Sequence, residues 1–318
     1  MTVAPSAATL NATYVGRTLF VNGSPVAAAR LNPLPRYAEL VPDKSNSKSY
    51  EYIFNNYDTY AGIFDYPKSV QQIGTINGAG GQGCTNVLYG YGKKIVWNVG
   101  RTSGLISEYR VPNKLIKTLS LNYTYTSSCA MNTSGDIAVG VLVGNPLGNA
   151  YGPGGQVVIF KKAAGSGTVY NTPLTKEYFD GYDPNGNLFA DGFTGSGETF
   201  RLVELPKGSS AFVTIKTTNS PEFPGSVQWD GTYLTVFDQY PSETYQYTVS
   251  GTTATLKNTI QFRGASDCAQ TWIVKGLLYC GDAGNSAGYV FKYPDGGSPV
   301  ATFTGNFDVP MGVTAAKK

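Results

Sequence analysis

The chain has no histidine in 318 residues. Ser-His-Asp and Cys-His catalysis in their usual forms are thereby excluded, as are His-ligated zinc sites. Any metal held here is a hard cation on oxygen ligands or a thiolate-bound one. Charge is scarce as well. Asp, Glu, Lys and Arg make up 14% of the chain, against the usual roughly 25%. The net charge is only +3 and no basic cluster exceeds two adjacent residues, as at Lys93-Lys94, so there is no electrostatic footprint for nucleic acid. No apolar run is long enough to span a membrane. The opening MTVAPSAATL lacks a basic stretch followed by an apolar one and does not read as a signal peptide. The four cysteines show no CxxC spacing, which argues against zinc and thioredoxin-type chemistry.

What is present is turn and strand material. There are 39 Gly and 23 Tyr, a bias that favours strands and tight turns over helices. Polarity comes from Asn, Thr and Ser rather than from charge. Such a surface suits a secreted or periplasmic protein, where disulfides persist.

One pattern recurs. Two apolar strands joined by a polar turn occur at 50–67, 94–112, 136–162, 187–206, 233–249 and 277–294. The second strand often stops at Pro, as in Tyr66-Pro67, Val111-Pro112, Leu205-Pro206 and Tyr293-Pro294, because Pro has no donor for a further ladder bond. Between copies lie a short Thr/Lys-bearing strand, a polar turn and a small-residue strand such as SCAMNTSG or PGSVQ. Each unit thus holds four strands, with a period of about 45 residues, in the range of propeller blades.

A four-stranded sheet that is apolar on both faces is not stable alone, whereas six packed radially bury both faces. The expected fold is all-β: a six-bladed β-propeller of four-stranded antiparallel blades over residues 50–318. The C-terminal VPMGVTAA supplies the innermost strand that blade one lacks and closes the ring. Residues 1–49 stand outside the repeat, as an extension expected to run along the ring.

The stretch LLYCGDAGNSAGYVFKYPDGG (277–297) resembles the NHL repeat, and NLFADGFTGSG and YLTVFDQ resemble it more weakly. That resemblance implies the six-bladed propeller and no single activity. The gluconolactonase-like and paraoxonase-like propellers, which the repeat also resembles, imply calcium in the axial channel, held by Glu, Asn and Asp side chains. Their SPDG-type motif is absent here.

Candidate residues fall into sets. Asn56, Asn98, Asp191, Asp238 and Asp282 repeat just after the second strand of a blade and read as turn-fixing side chains. Gln82, Asp180, Glu222, Asp267 and Asp308 fall where innermost strands begin, so they are expected to converge on one channel mouth. Carboxylates sharing a small volume repel one another unless a cation or proton intervenes. Asp180, Glu222, Asp267 and Asp308 are therefore the candidate calcium ligands, the bland alternative being that each acid caps its own loop. Asn86 and Gln270 are placed to point into the channel.

Aromatic residues Tyr57, Tyr60, Tyr125, Tyr151, Tyr178, Tyr182, Tyr240 and Trp272 suit a sugar or aromatic ligand, or else inter-blade core. The loop 143–155 is the longest insertion and the candidate lid. Cys84–Cys129 across adjacent blades and Cys268–Cys280 across a hairpin are the pairings this layout allows. Buried free thiols are the alternative.

Two functions follow. The first is a non-catalytic, exported binding propeller, monomeric, holding a small molecule, glycan or protein at the channel face. Its ligand residues are Asn86, Gln82, Gln270, Tyr151, Tyr182 and Trp272. The second is a cation-dependent hydrolase of lactones, esters or phosphotriesters, with Glu222 and Asp267 as catalytic residues.

Overall fold

The structure is a computed structural model of the chain. It describes residues 48–56, 59–121, 123, 125–142 and 155–318, together with the backbone of three short strands nearer the N-terminus. Those three, β1 (Ala12–Val15), β2 (Thr18–Val21) and β3 (Ser24–Pro25), form an antiparallel sheet within a separate compact unit, Met1–Glu39. The expected course of residues 1–49 along the ring lies outside the described residues.

The second unit, Leu40–Lys318, is the six-bladed β-propeller. Blade one begins with β4 (Ser49–Asn55), β5 (Tyr60–Asp65) and β6 (Ser69–Asn77). Blade two is β7 (Gln82–Thr85), β8 (Ile95–Val99), β9 (Leu105–Arg110) and β10 (Lys114–Ser120). Blade three is β11 (Ala130–Met131), β12 (Ile137–Val141), β13 (Gln156–Phe160) and β14 (Thr168–Asn171). Blade four is β15 (Lys176–Tyr182), β16 (Leu188–Thr194), β17 (Thr199–Leu205) and β18 (Val213–Thr217). Blade five is β19 (Pro224–Trp229), β20 (Leu234–Asp238), β21 (Glu243–Ser250) and β22 (Thr253–Gln261). Blade six is β23 (Cys268–Val274), β24 (Leu277–Asp282), β25 (Ala287–Lys292) and β26 (Gly296–Phe303).

The last strand, β27 (Pro310–Lys317), returns to blade one and pairs antiparallel with β4, from Pro310↔Asn55 to Lys317↔Ser49. It is the innermost strand of that blade, so the two ends of the propeller sequence share one sheet. Val313, Ala315 and Ala316 are fully buried at this closure.

The radial gradient of residue size has a direct steric cause. A side chain at Gly181 of β15 would strike the Val227 carbonyl of β19, and one at Gly312 of β27 would strike the Gly81 carbonyl. Inner strands of neighbouring blades therefore meet backbone to backbone. Outward, large side chains fill the wedges: Trp97, Tyr52, Tyr247, Tyr279 and Phe237 are all but inaccessible to solvent. The outermost β10 is exposed at nearly every position, and its Lys114 and Lys117 guard a sheet edge against pairing with other chains. Outer strands of blades four and five touch in parallel, through Lys216↔Thr253 and Thr217↔Ala254.

Both expected disulfides are formed. Cys84–Cys129 ties the innermost region of blade two to that of blade three, and Cys268–Cys280 spans β23 and β24. The second is diagonal, since a bulge sets Cys280 opposite Thr271 and Cys268 opposite Asp282. Buried free thiols are thus not what the cysteines are, and the two bonds place folding in an oxidising compartment. Among the described residues no helix is long and apolar enough to cross a membrane.

Candidate functional site

A recurring latch positions the loops at one end of the ring. Near the end of the second strand of a blade, one Asx side chain bonds the backbone leading into the innermost strand. Asp238 accepts from the N–H groups of Glu222 (2.5 Å) and Phe223 (3.0 Å). Asp282 accepts from those of Ser266 (2.8 Å) and Asp267 (3.0 Å), and also from Gly284 and Asn285 in its own turn. Asp191 accepts from Phe179 (3.1 Å), and Asn98 donates to the carbonyls of Gly80 and Gln82. The structural reading of this set stands, with one shift: in blade one Asn55, not Asn56, accepts from Asp308 N–H (3.0 Å).

Blade three breaks the pattern. Gly140 stands where the latch side chain would be, and any Cβ there would collide with the carboxyl group of Glu177. Glu177 reaches across from blade four and accepts from Ser127 Oγ in a very short bond and from Ser128 Oγ at 3.3 Å. It is fully buried, and burial, followed by the nearby Asp180, pushes its carboxyl well above the usual range. A residue from the next blade thus replaces a missing latch.

The inner strands run in one direction through the ring, so their starts and ends define two mouths. At the starts lies a cavity of about 190 Å³. Gln82, Ser127, Tyr178, Phe223, Asp267 and Met311 line it from the strand approaches, and Arg101, Gln239 and Tyr240 from loops between second and third strands. Its aromatic wall is an edge-to-face chain: Tyr178–Phe223 at 5.4 Å, Phe193–Phe223 at 5.3 Å and Phe223–Tyr240 at 5.0 Å. Tyr240 is 64% exposed. Burial, then the charge of Asp282, raises the Asp267 carboxyl.

The other end is narrowed. The β7–β8 loop crosses it: Gly90 N–H donates to Ile273 O and Gly92 N–H to Ala315 O. Gln228 Nε2 donates to Leu88 O (3.1 Å) and Trp272 Nε1 to Gly90 O (2.9 Å). What is left is about 30 Å³, room for a water or two.

Several expected ligand residues are therefore spent on structure. Trp272 and Tyr182 are buried and line the narrowed end. Gln270 joins three blades: its Nε2 donates to Gly83 O (2.8 Å) and its Oε1 accepts from Gly83 and Val313 N–H (3.0 Å each). Asn86 Oδ1 accepts from Lys93 N–H (2.7 Å), which pins the crossing loop rather than facing a ligand. Gln82 does reach the open mouth. Tyr57, Tyr151 and the candidate lid 143–154 lie outside the described residues.

The four acids expected to share calcium are not brought together. Asp267 lines the open mouth, Asp180 lies further along its strand and lines the narrowed cavity, and Glu222 and Asp308 are exposed. Among the described residues no three acidic or cysteine side chains are grouped to hold a metal. The latch holds Glu222, Asp267 and Asp308 by their backbone N–H groups, which fixes the loops and not the carboxylates. Asp180 is instead a buried acid whose two oxygens find no hydrogen-bond partner among the described residues. Burial pushes it up to about 7 against the lowering effect of the nearby Ser128 hydroxyl, which lies outside hydrogen-bonding geometry.

Arg101, Phe223, Gln239 and Met311 were not among the sequence candidates. Gln239 and Tyr240 directly follow the latch residue Asp238, and Arg101 follows the second strand of blade two. Loops after second strands share an end with the starts of innermost strands, and that rule finds them.

Comparison with known proteins defines the fold class. No protein-family model matches the chain, and no curated protein matches it. Solved structures do. A chain of a nidogen/laminin complex aligns with TM-score 0.61 and 10% identity over 84% of this chain and 98% of that one. A protein of unknown function from Bacteroides caccae aligns with TM-score 0.61 and 10% identity, over 86% of this chain and 100% of that one. A functionally unknown protein from Desulfotomaculum acetoxidans gives 0.57 and 8%, over 84% and 98%. At these identities the likeness concerns the β-propeller fold alone.

Proposed function

We propose that this protein is an exported binding module, secreted or periplasmic, that holds a small ligand at the open mouth of its ring. One observation carries the reading: the two ends of the channel are unequal. One is crossed by a loop and keeps only about 30 Å³, while the other keeps about 190 Å³ walled by Tyr178, Phe223 and Tyr240 and edged by polar side chains. Concave sites with apolar walls and a few convergent polar groups are where small ligands bind. The residues at this mouth are held by latched backbones, so the site is preformed.

The test is a calorimetric and thermal-shift screen of wild type and Tyr240→Ala with saccharides, amines, amino acids, nucleosides and aromatic acids. The expected result is one saturating class at a single site, weakened about tenfold or more in Tyr240→Ala, the cost of losing one aromatic contact. The Tyr240 ring is mostly exposed, so that variant keeps the wild-type melting temperature. No binding by any class, or binding indifferent to both Tyr240→Ala and Phe223→Ala, removes the site.

A further inference from the structure

Several groups at the mouth present acceptors. Ser127 Oγ is held by its very short hydrogen bond to Glu177. Gln239 Nε2 donates to the Pro224 carbonyl, and no hydrogen bond engages its Oε1 among the described residues. Gln82 is 1% exposed, and its Oε1 has no donor among the described residues. The Asp267 carboxylate accepts no hydrogen bond among the described residues either, although its own N–H is fixed to Asp282 at 3.0 Å. The rings of Tyr178, Phe223 and Tyr240 add faces that carry negative quadrupole.

Arg101 and the amide nitrogens supply donors, but the Asp267 carboxylate, the one anionic group among the described lining residues, has none bonded to it. A neutral polyol brings as many acceptors as donors and no charge. An ammonium group brings donors and positive charge together, matching both the carboxylate and the rings. Resting on the proposed mouth site, we infer that its ligand carries a small organic ammonium group, seated between Asp267 and the aromatic wall. Among the described residues Arg101 is the one cationic side chain lining the cavity. It sets the choice between a simple amine and an amine that also bears a carboxylate, since the latter meets Arg101 at its other end.

A matched series on one scaffold tests this by titration calorimetry: 2-phenylethylamine, phenylalanine, 2-phenylethanol and 3-phenylpropionate, with methyl glucoside as the neutral sugar. The expected result is that an ammonium compound binds at least about tenfold tighter than 2-phenylethanol, as charge-assisted hydrogen bonds do relative to neutral ones. Asp267→Asn should erase that advantage. If phenylalanine is the tighter of the two amines, Arg101→Met should bring it down to 2-phenylethylamine; if it is the weaker, the ligand is a simple amine. Equal or tighter binding by 2-phenylethanol or methyl glucoside, or an amine affinity unmoved by Asp267→Asn, overturns the inference while the mouth site stands. Absence of binding across the series and the wider screen, with Tyr240→Ala indistinguishable from wild type, removes both.

Discussion

Replacing Asp180 by Asn should make the protein more stable, and increasingly so as pH rises. Asp180 lies on β15 with 4% of its surface exposed, and neither carboxyl oxygen has a partner among the described residues. The buried acids Glu177 and Asp191 lie near it. Burial lifts its pKa from the ordinary 3.8 to about 7. A carboxyl raised in the folded state leaves stability intact below pH 3.8 and removes it progressively until pH passes 7. At about 1.36 kcal/mol per pH unit, the full loss is on the order of 4 kcal/mol, of which roughly 2 kcal/mol accrues between pH 5 and pH 7. Asn keeps the shape and carries no charge to bury. Urea denaturation of wild type and Asp180→Asn at pH 5, 6, 7 and 8 reads the effect. The stability gap should widen by a few kcal/mol across that range and level off above pH 7. A gap that stays constant with pH would show that Asp180 does not carry this proton, and the reasoning from burial fails.

Three further outcomes follow from the same geometry. Gly140→Ala drives a Cβ into the Glu177 carboxyl and should cost about 1–3 kcal/mol; adding Glu177→Ala should recover part of that, whereas strict additivity in the double-mutant cycle would deny the inter-blade latch. Deleting residues 310–318 strips blade one of its innermost strand and should abolish a cooperative melt, because the closure is comparable to the whole marginal stability of a domain, about 5–15 kcal/mol; a sharp transition near the wild-type temperature would contradict ring closure by β27. The two disulfides close loops with sequence separations of 45 and 12, so chain entropy assigns about 4 kcal/mol to Cys84–Cys129 and about 3 kcal/mol to Cys268–Cys280. Cys84→Ser should therefore lower the urea midpoint more than Cys280→Ser, and the reverse order would count against that assignment.

The fold was legible in the sequence because each blade repeats the same strand pair and polar turn, and because VPMGVTAA has the small residues an inner strand needs. The latch was legible as a type of residue but not to the exact position. Asn55 and Asn56 are adjacent, and only the pairing of β4 with β27 decides between them. Both disulfide pairings could be drawn from blade equivalence, yet their formation could not.

The site was harder to read. Glu222, Asp267 and Asp308 do share a loop position, but a shared position fixes backbone and not side-chain direction, so three acids at one mouth do not amount to one site. Gln270 and Asn86 have the chemistry of ligand residues and are consumed by backbone groups from distant parts of the chain. Glu177, which the repeat gives no reason to choose, matters because Gly140, in another blade, leaves it space.

The central claim is that ligand is held at the mouth where the inner strands begin. A crystal structure of the protein with the tightest compound of the amine screen tests it most directly. The account predicts ligand density against the Tyr240 and Phe223 rings with its nitrogen at Asp267. Density at the end crossed by residues 86–94, or along the outer blade edges, would contradict it.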